Sequence, residues 1–177
     1  MKRKLKSMVL ITFSLLLALT YSNSVFSQAQ KKANKETKNW RYEIECFGIG
    51  TDGTYLIKVW SYSKKATIAI EQCKKNAVHG VIFKGFGGGG KGCVAQKPLT
   101  NNPNLEQEKV DFFDDFFADG GKFMKYVGVS GDGSVPVWDR MKIGKEYKIG
   151  VVVTVNKDYL RKDLEAAGII KGLSSGF

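Results

Sequence analysis

The sequence predicts an α+β domain, with helices packed on one face of a mainly antiparallel sheet. Three observations carry this. Trp40-Arg-Tyr-Glu-Ile-Glu-Cys46 alternates large apolar and charged residues with period two, the mark of a half-buried strand. Lys145 to Val155 sets Tyr147, Ile149, Val151, Val153 and Val155 against Lys148, Gly150 and Thr154. Between them, Ala66, Ala69, Ile70, Cys73 and Ala77 recur at helical spacing, with Lys64, Lys65, Glu71, Lys74 and Lys75 elsewhere.

In chain order, the first strand runs from Trp40 to Cys46. Asp52-Gly53 supplies turn chemistry, and Thr54 to Tyr62 forms the second strand of a hairpin. Ser63 is placed to cap the helix that follows, and Gly80 to end it after His79. Val81-Ile82-Phe83 reads as a short buried strand. Residues 85–104 form a long irregular segment, Gly-rich and then Pro/Asn-rich. A second helix spans Leu105 to Ala118, with Phe112, Phe113, Phe116 and Phe117 as its core face and Asp111, Asp114 and Asp115 turned to solvent. Lys122 to Ser130 is a strand and Gly131 to Ser134 a turn. After the strand Lys145–Val155, Asn156 caps a last helix carrying Leu160, Leu164 and Ala167. Gly168 stops that helix, and Ile169-Ile170 folds back on it. The expected order is β-β-α-β-α-β-β-α.

The first thirty residues give an address. Lys2, Arg3, Lys4 and Lys6 precede an apolar run from Met8 to Tyr21, and Val25-Phe26-Ser27 fits a cleavage site. This pattern is that of a secretory signal peptide over residues 1–27. The run falls short of the roughly 20 apolar residues that span a bilayer. The processed chain is therefore expected to be no transmembrane protein, and to lie in the periplasm or outside the cell. With no Cys at the cut, nothing supports lipidation. Residues 28–38 read as a disordered basic linker and residues 39–177 as one domain. The leader holds four of the +11 formal charges, leaving +7. Such an excess favours anionic envelope polymers. Nucleic acid is not an expected partner, since no stretch is read as interleaving Lys or Arg with aromatics on one strand face.

Gly85-Phe86-Gly87-Gly88-Gly89-Gly90-Lys91-Gly92 nearly spells a phosphate-binding loop. Gly92 stands where the magnesium-binding hydroxyl belongs, however, and Cys93 to Pro98 cannot continue as a useful helix. The nucleotide reading is set aside. Gly85 to Lys91 is read instead as a partner-binding loop, because successive glycines let another backbone approach. Of the cysteines, Cys46 is expected to be a buried apolar residue, and Cys73–Cys93 is the preferred disulfide. His79, the single histidine, is expected at a helix C-terminus. Paired with Cys93 it would make a thiol enzyme, the alternative reading. Asp111, Asp114, Asp115 and Asp119 are a solvated face, not a metal site. No cofactor is expected. The terminal Phe177 does not signal an outer-membrane barrel, since Ala166 to Phe177 lacks alternation.

The hairpin Trp40–Tyr62 followed by the Ala-patterned helix Lys64–His79, with the late segment YKIGVVVTVNKDYLRKDLEAA (Tyr147–Ala167), resembles the envelope modules of flagellar T-ring proteins and related secretory-pathway lipoproteins. It also looks like secreted proteins of Gram-negative bacteria. The resemblance implies an envelope assembly or scaffolding role and carries over no catalytic residues. The expected function is an exported, non-enzymatic binding module that docks an envelope protein or anionic envelope polymer. A self-assembling structural subunit is a further alternative.

Overall fold

The computed structural model describes residues 40–90, 92–118 and 120–172. The leader and linker, Lys91, Asp119 and Phe177 lie outside the described residues. The chain is α+β, and its five-stranded antiparallel sheet curls into a half-barrel. The strands are β1 (Tyr42–Gly48), β2 (Thr54–Ser63), β3 (Val127–Val129), β4 (Arg140–Ile143) and β5 (Glu146–Asn156). The helices are α1 (Ala66–Phe83), α2 (Leu105–Glu108), α3 (Val110–Phe116) and α4 (Lys157–Ala166).

β5 organises the sheet. One of its edges pairs with β2 from Thr54↔Asn156 to Ser63↔Tyr147. Its other edge is shared, with β4 along the first half and β3 along the second. The alternation that predicts β5 is also what fixes its register. Ile149, Val151, Val153 and Val155 are buried on the inner face, in line with Ile57 and Val59 of β2. A slip of one residue would turn every one of them to solvent.

α1 lies on that inner face, and its second half is buried nearly all round, from Gln72 and Cys73 through Lys75 to Ile82. The sheet covers one side. A layer of rings that includes Phe113 and Phe117 covers the other, and Phe83 of α1 itself meets Phe113 with ring centres 5.1 Å apart. The helix does not stop at Gly80. Val81-Ile82-Phe83 continues it, correcting the strand expected there. Gly80 is a close-approach residue, since a Cβ there would lie 2.7 Å from Ile44 Cδ1. A short apolar run reads alike as buried strand or buried helix, and here the helix wins. Its end falls at Gly85, which has φ +66°. The Pro/Asn-rich segment then satisfies the helix's last carbonyls: Leu99 N–H donates to Val81 O and Thr100 N–H to Ile82 O.

Three other expectations change. Lys122–Tyr126 is a 3-10 helix, leaving only Val127–Val129 as strand. Phe123 and Tyr126 are both buried. Three-residue spacing puts them on one side of a 3-10 turn, whereas a strand would split them between faces. The second helix breaks at Lys109, so that Leu105 is buried and Glu106 reaches His79 of α1. β4 has no counterpart in the expected order. It returns to β5 through Gly144-Lys145, with Gly144 at φ +60°. At the helix ends, the cap of α4 is as the sequence implies. Asn156 Oδ1 accepts from Tyr159 N–H, and Ile169 N–H bonds back to Leu164 O. Ser63 instead bonds Lys65 N–H, just ahead of α1.

Gly85→Ala tests the joint between α1 and the loop. The added Cβ would sit 2.2 Å from Gln96 O and at a positive φ. The expected loss is at least about 2 kcal/mol. It should appear as a drop in Tm of several degrees, and an unchanged melt would contradict this backbone.

Candidate functional site

The glycine loop is held at both ends. Phe86 and Gln96 exchange backbone hydrogen bonds of 2.9 Å, closing the segment between them. Phe86 is buried against Tyr55, with ring centres 5.0 Å apart. It is an anchor of the loop and not part of its exposed surface, which corrects its place in the expected docking set. Gly87, Gly88, Gly89 and Gly90 are exposed, and open space faces Gly87, Gly89 and Gly90.

The staple is Cys46–Cys93, with Cα atoms 5.9 Å apart. This replaces the expected Cys73–Cys93 pair. Cys46 lies near the end of β1, within reach of the loop. Cys73 is on α1, fully buried against β2, where its thiol donates to Val59 O at 3.1 Å. Burial pushes that thiol up to about 12. The cross-link ties the loop to the β1–β2 turn. Ile49 of that turn packs against Gly92 yet stays 76% exposed, and Val94 is 69% exposed. Between turn and loop lies a cleft of about 370 Å³, lined by Thr51, Tyr55, Gln96 and Lys157 among others.

His79 is far from Cys93 in role. It sits inside α1, not at its end, and is 4% exposed. Tyr42 Oη lies 2.7 Å from Nδ1, and Glu106 Oε2 lies 3.3 Å from Nε2. Trp40 donates to the other Glu106 oxygen at 2.7 Å and stacks on the imidazole, with ring centres 3.6 Å apart. Burial pulls the His79 pKa down, only partly offset by Glu106, with Lys84 and Lys75 adding to the fall. Burial also raises the Tyr42 hydroxyl. An ionised Glu106 only accepts, so the neutral imidazole donates from Nε2 and accepts from Tyr42 at Nδ1. Both ring nitrogens are engaged. Cys93 is held in the disulfide with Cys46, and in that state it offers no thiolate.

The outer face of the sheet carries a feature missed in the sequence. Lys58, Trp60 and Tyr62 alternate along β2 and share that face, so one cation and two aromatics lie in a row on one strand. The Lys-x-Trp-x-Tyr pattern itself carries that signal. Trp60 lies against Gly150, whose would-be Cβ is 2.8 Å from the ring. The Arg41 guanidinium stands 4.3 Å over Tyr62. The charges here are matched: Lys58 with Asp139 at 2.7 Å, Lys148 with Glu43 at 2.7 Å, Arg41 with Glu146 at 2.8 Å. Pairing cancels the field that a polyanion would follow.

Among the described residues no group of three or more His, Cys, Asp or Glu is arranged to hold a metal. No described helix is long and apolar enough to cross a membrane. Comparison with protein-family models, curated proteins and solved structures finds no match.

Three measurements check this geometry. Peptide mapping of the oxidised chain should join Cys46 to Cys93, with Cys73 alkylated only in denaturant. A Cys73–Cys93 peptide would contradict the assignment. Cys93→Ser should lower stability by about 4 kcal/mol on the chain-entropy account of a loop this long. The depressed His79 pKa has a definite sign. Between its folded value and about 6.5 the unfolded chain binds a proton that the folded chain does not. Stability is therefore full above about pH 6.5 and declines as the pH falls through that window, by at most about 1.4 kcal/mol per pH unit. Urea melts from pH 7 to 5.5 should show the decline, and His79→Gln should flatten it.

Proposed function

We propose that this chain is an exported, non-enzymatic binding module that docks another component of the cell envelope. The observation that carries the reading is the Cys46–Cys93 cross-link, which holds an exposed glycine loop against an exposed hairpin turn. A disulfide fits an oxidising compartment, and the basic-then-apolar start of the chain fits an export signal. The cross-link also lowers the entropy that the loop loses on docking, because its ends are already fixed. Ile49 and Val94 supply apolar contact, and the glycines supply close backbone approach. The lysines of residues 31–38 add long-range attraction to anionic surfaces. Docking of this kind matches the scaffolding role implied by the likeness to T-ring modules.

The test is site-specific photo-crosslinking of the full chain in a Gram-negative host. A photo-reactive residue at Val94 should give a discrete high-mass adduct in the envelope fraction. Ile49→Asp should abolish it, and the same probe at the exposed Lys162 should give none. Equal adducts at both positions would overturn the reading. So would an unprocessed chain retained in the cytosol with Cys46 and Cys93 reduced.

A further inference from the structure

At the opposite end of α1 from the glycine loop, the fold gathers four cations into one cleft of about 450 Å³. Lys64 and Lys65 come from the turn before α1. Arg140 and Lys142 come from β4, and Tyr147, Ile149 and Ala66 complete the lining. The register explains the convergence. Arg140 pairs with Ile149 and Lys142 with Tyr147, so both point to the inner face, beside the start of α1. Arg140 is steadied by its Nε donating to Val135 O at 2.9 Å.

Among the described residues, no carboxylate lines the cleft. The acids nearest in sequence, Asp139 and Glu146, are engaged with Lys58 and Arg41 of the outer face. Glu71, in the second turn of α1, pairs with Lys74. The first turn of α1 has no acidic residue and no side-chain cap. Lys64 and Lys65 thus stand at a helix N-terminus, where the macrodipole disfavours cations. On the outer face of the sheet, by contrast, Lys58, Lys148 and Arg41 each meet a carboxylate. In the cleft, four cations share one lining that holds no carboxylate and stand beside the positive end of the helix dipole, a setting that a bound anion would relieve.

We propose that this cleft binds a phosphate group, held by Lys64 and Lys65 on one side and by Arg140 and Lys142 on the other. A compact, multiply charged oxyanion suits it. The guanidinium offers a two-pronged donor, the lysines offer point charges, and the helix start offers backbone N–H groups. The phosphate belongs either to a lipid headgroup or to a free or glycan-borne phosphate. The inference deepens the envelope-docking reading and rests on it for the source of the ligand, but the binding chemistry is testable alone.

The experiment is titration of the purified chain with inorganic phosphate and pyrophosphate, followed by amide NMR and calorimetry. The expected result is saturable shifts at Lys65, Ala66 and Thr67. Affinity should fall about tenfold or more in Lys64→Gln/Lys65→Gln and in Arg140→Gln/Lys142→Gln. Lys122→Gln/Lys162→Gln, made on exposed lysines elsewhere, should bind as the parent does. Shifts spread evenly over the lysines, or cleft variants that bind like the parent, would overturn the site. A second arm uses phosphatidylcholine vesicles with and without phosphatidic acid. Cosedimentation that needs both phosphatidic acid and the cleft cations assigns the lipid source. Phosphate binding without cosedimentation assigns the free or glycan source. Phosphate binding by a chain that is not exported would sink the docking reading and leave the site standing.

Discussion

The structure turns on one constraint, that α1 must be surrounded. From Gln72 to Ile82 every residue of the helix except Lys74 is buried, Gln72, Lys75, Asn76 and His79 included. Its apolar residues Cys73, Ala77, Val78, Val81 and Ile82 spread over more than one side, so more than one side has to be covered. The inner face of β2 and β5 encloses one side, and the curl of the sheet extends that cover. The phenylalanines of α3 and the segment after it enclose the other side. Even the polar groups of α1 are spent inward. Cys73 and Asn76 bond Ser61 of β2, at 3.2 and 2.8 Å, and His79 bonds Tyr42 and Glu106.

The glycine loop and the basic cleft are both consequences of that enclosure, because they form where the two ends of α1 emerge. At its C-terminal end, Leu99 and Thr100 satisfy the helix carbonyls. The chain must therefore leave at Gly85 and return, and the excursion between is the glycine loop. The disulfide then fixes the excursion to β1. At the N-terminal end, β4 extends the inner face past the start of the helix and leaves the basic cleft beside it. The outer face of the sheet has matched charges and plays no part in either.

Much of this was legible in the sequence where one periodicity spoke alone. β5 could be read because Ile149 to Val155 alternate with smaller or polar residues over a long stretch. The ends of α4 could be read because Asn156 and Gly168 are cap residues with a local mechanism. What failed were places where tertiary contact decides between local options. Val81-Ile82-Phe83 fits strand or helix by composition, and Gly80 fits a cap or a crossing; only the approach of Ile44 separates them. The partner of Cys93 depended on which cysteine faces the loop, a matter of position and not of spacing. The convergence of Lys64 and Lys65 with Arg140 and Lys142 required the pairing of β4 with β5. By contrast, the Lys58-x-Trp60-x-Tyr62 pattern is legible in the sequence, and the burial of the alternate residues Ile57, Val59 and Ser61 then places it on the outer face.

The enclosure of α1 is tested most directly by native-state hydrogen exchange resolved by residue. Amides from Cys73 to Ile82 should exchange only through global unfolding, with the same opening free energy as the central amides of β2 and β5. The amides of Gly87 to Gly90 should exchange far faster. If the second half of α1 opens at a clearly lower free energy while β2 and β5 stay protected, α1 is a peripheral element and its enclosure is not what the fold depends on.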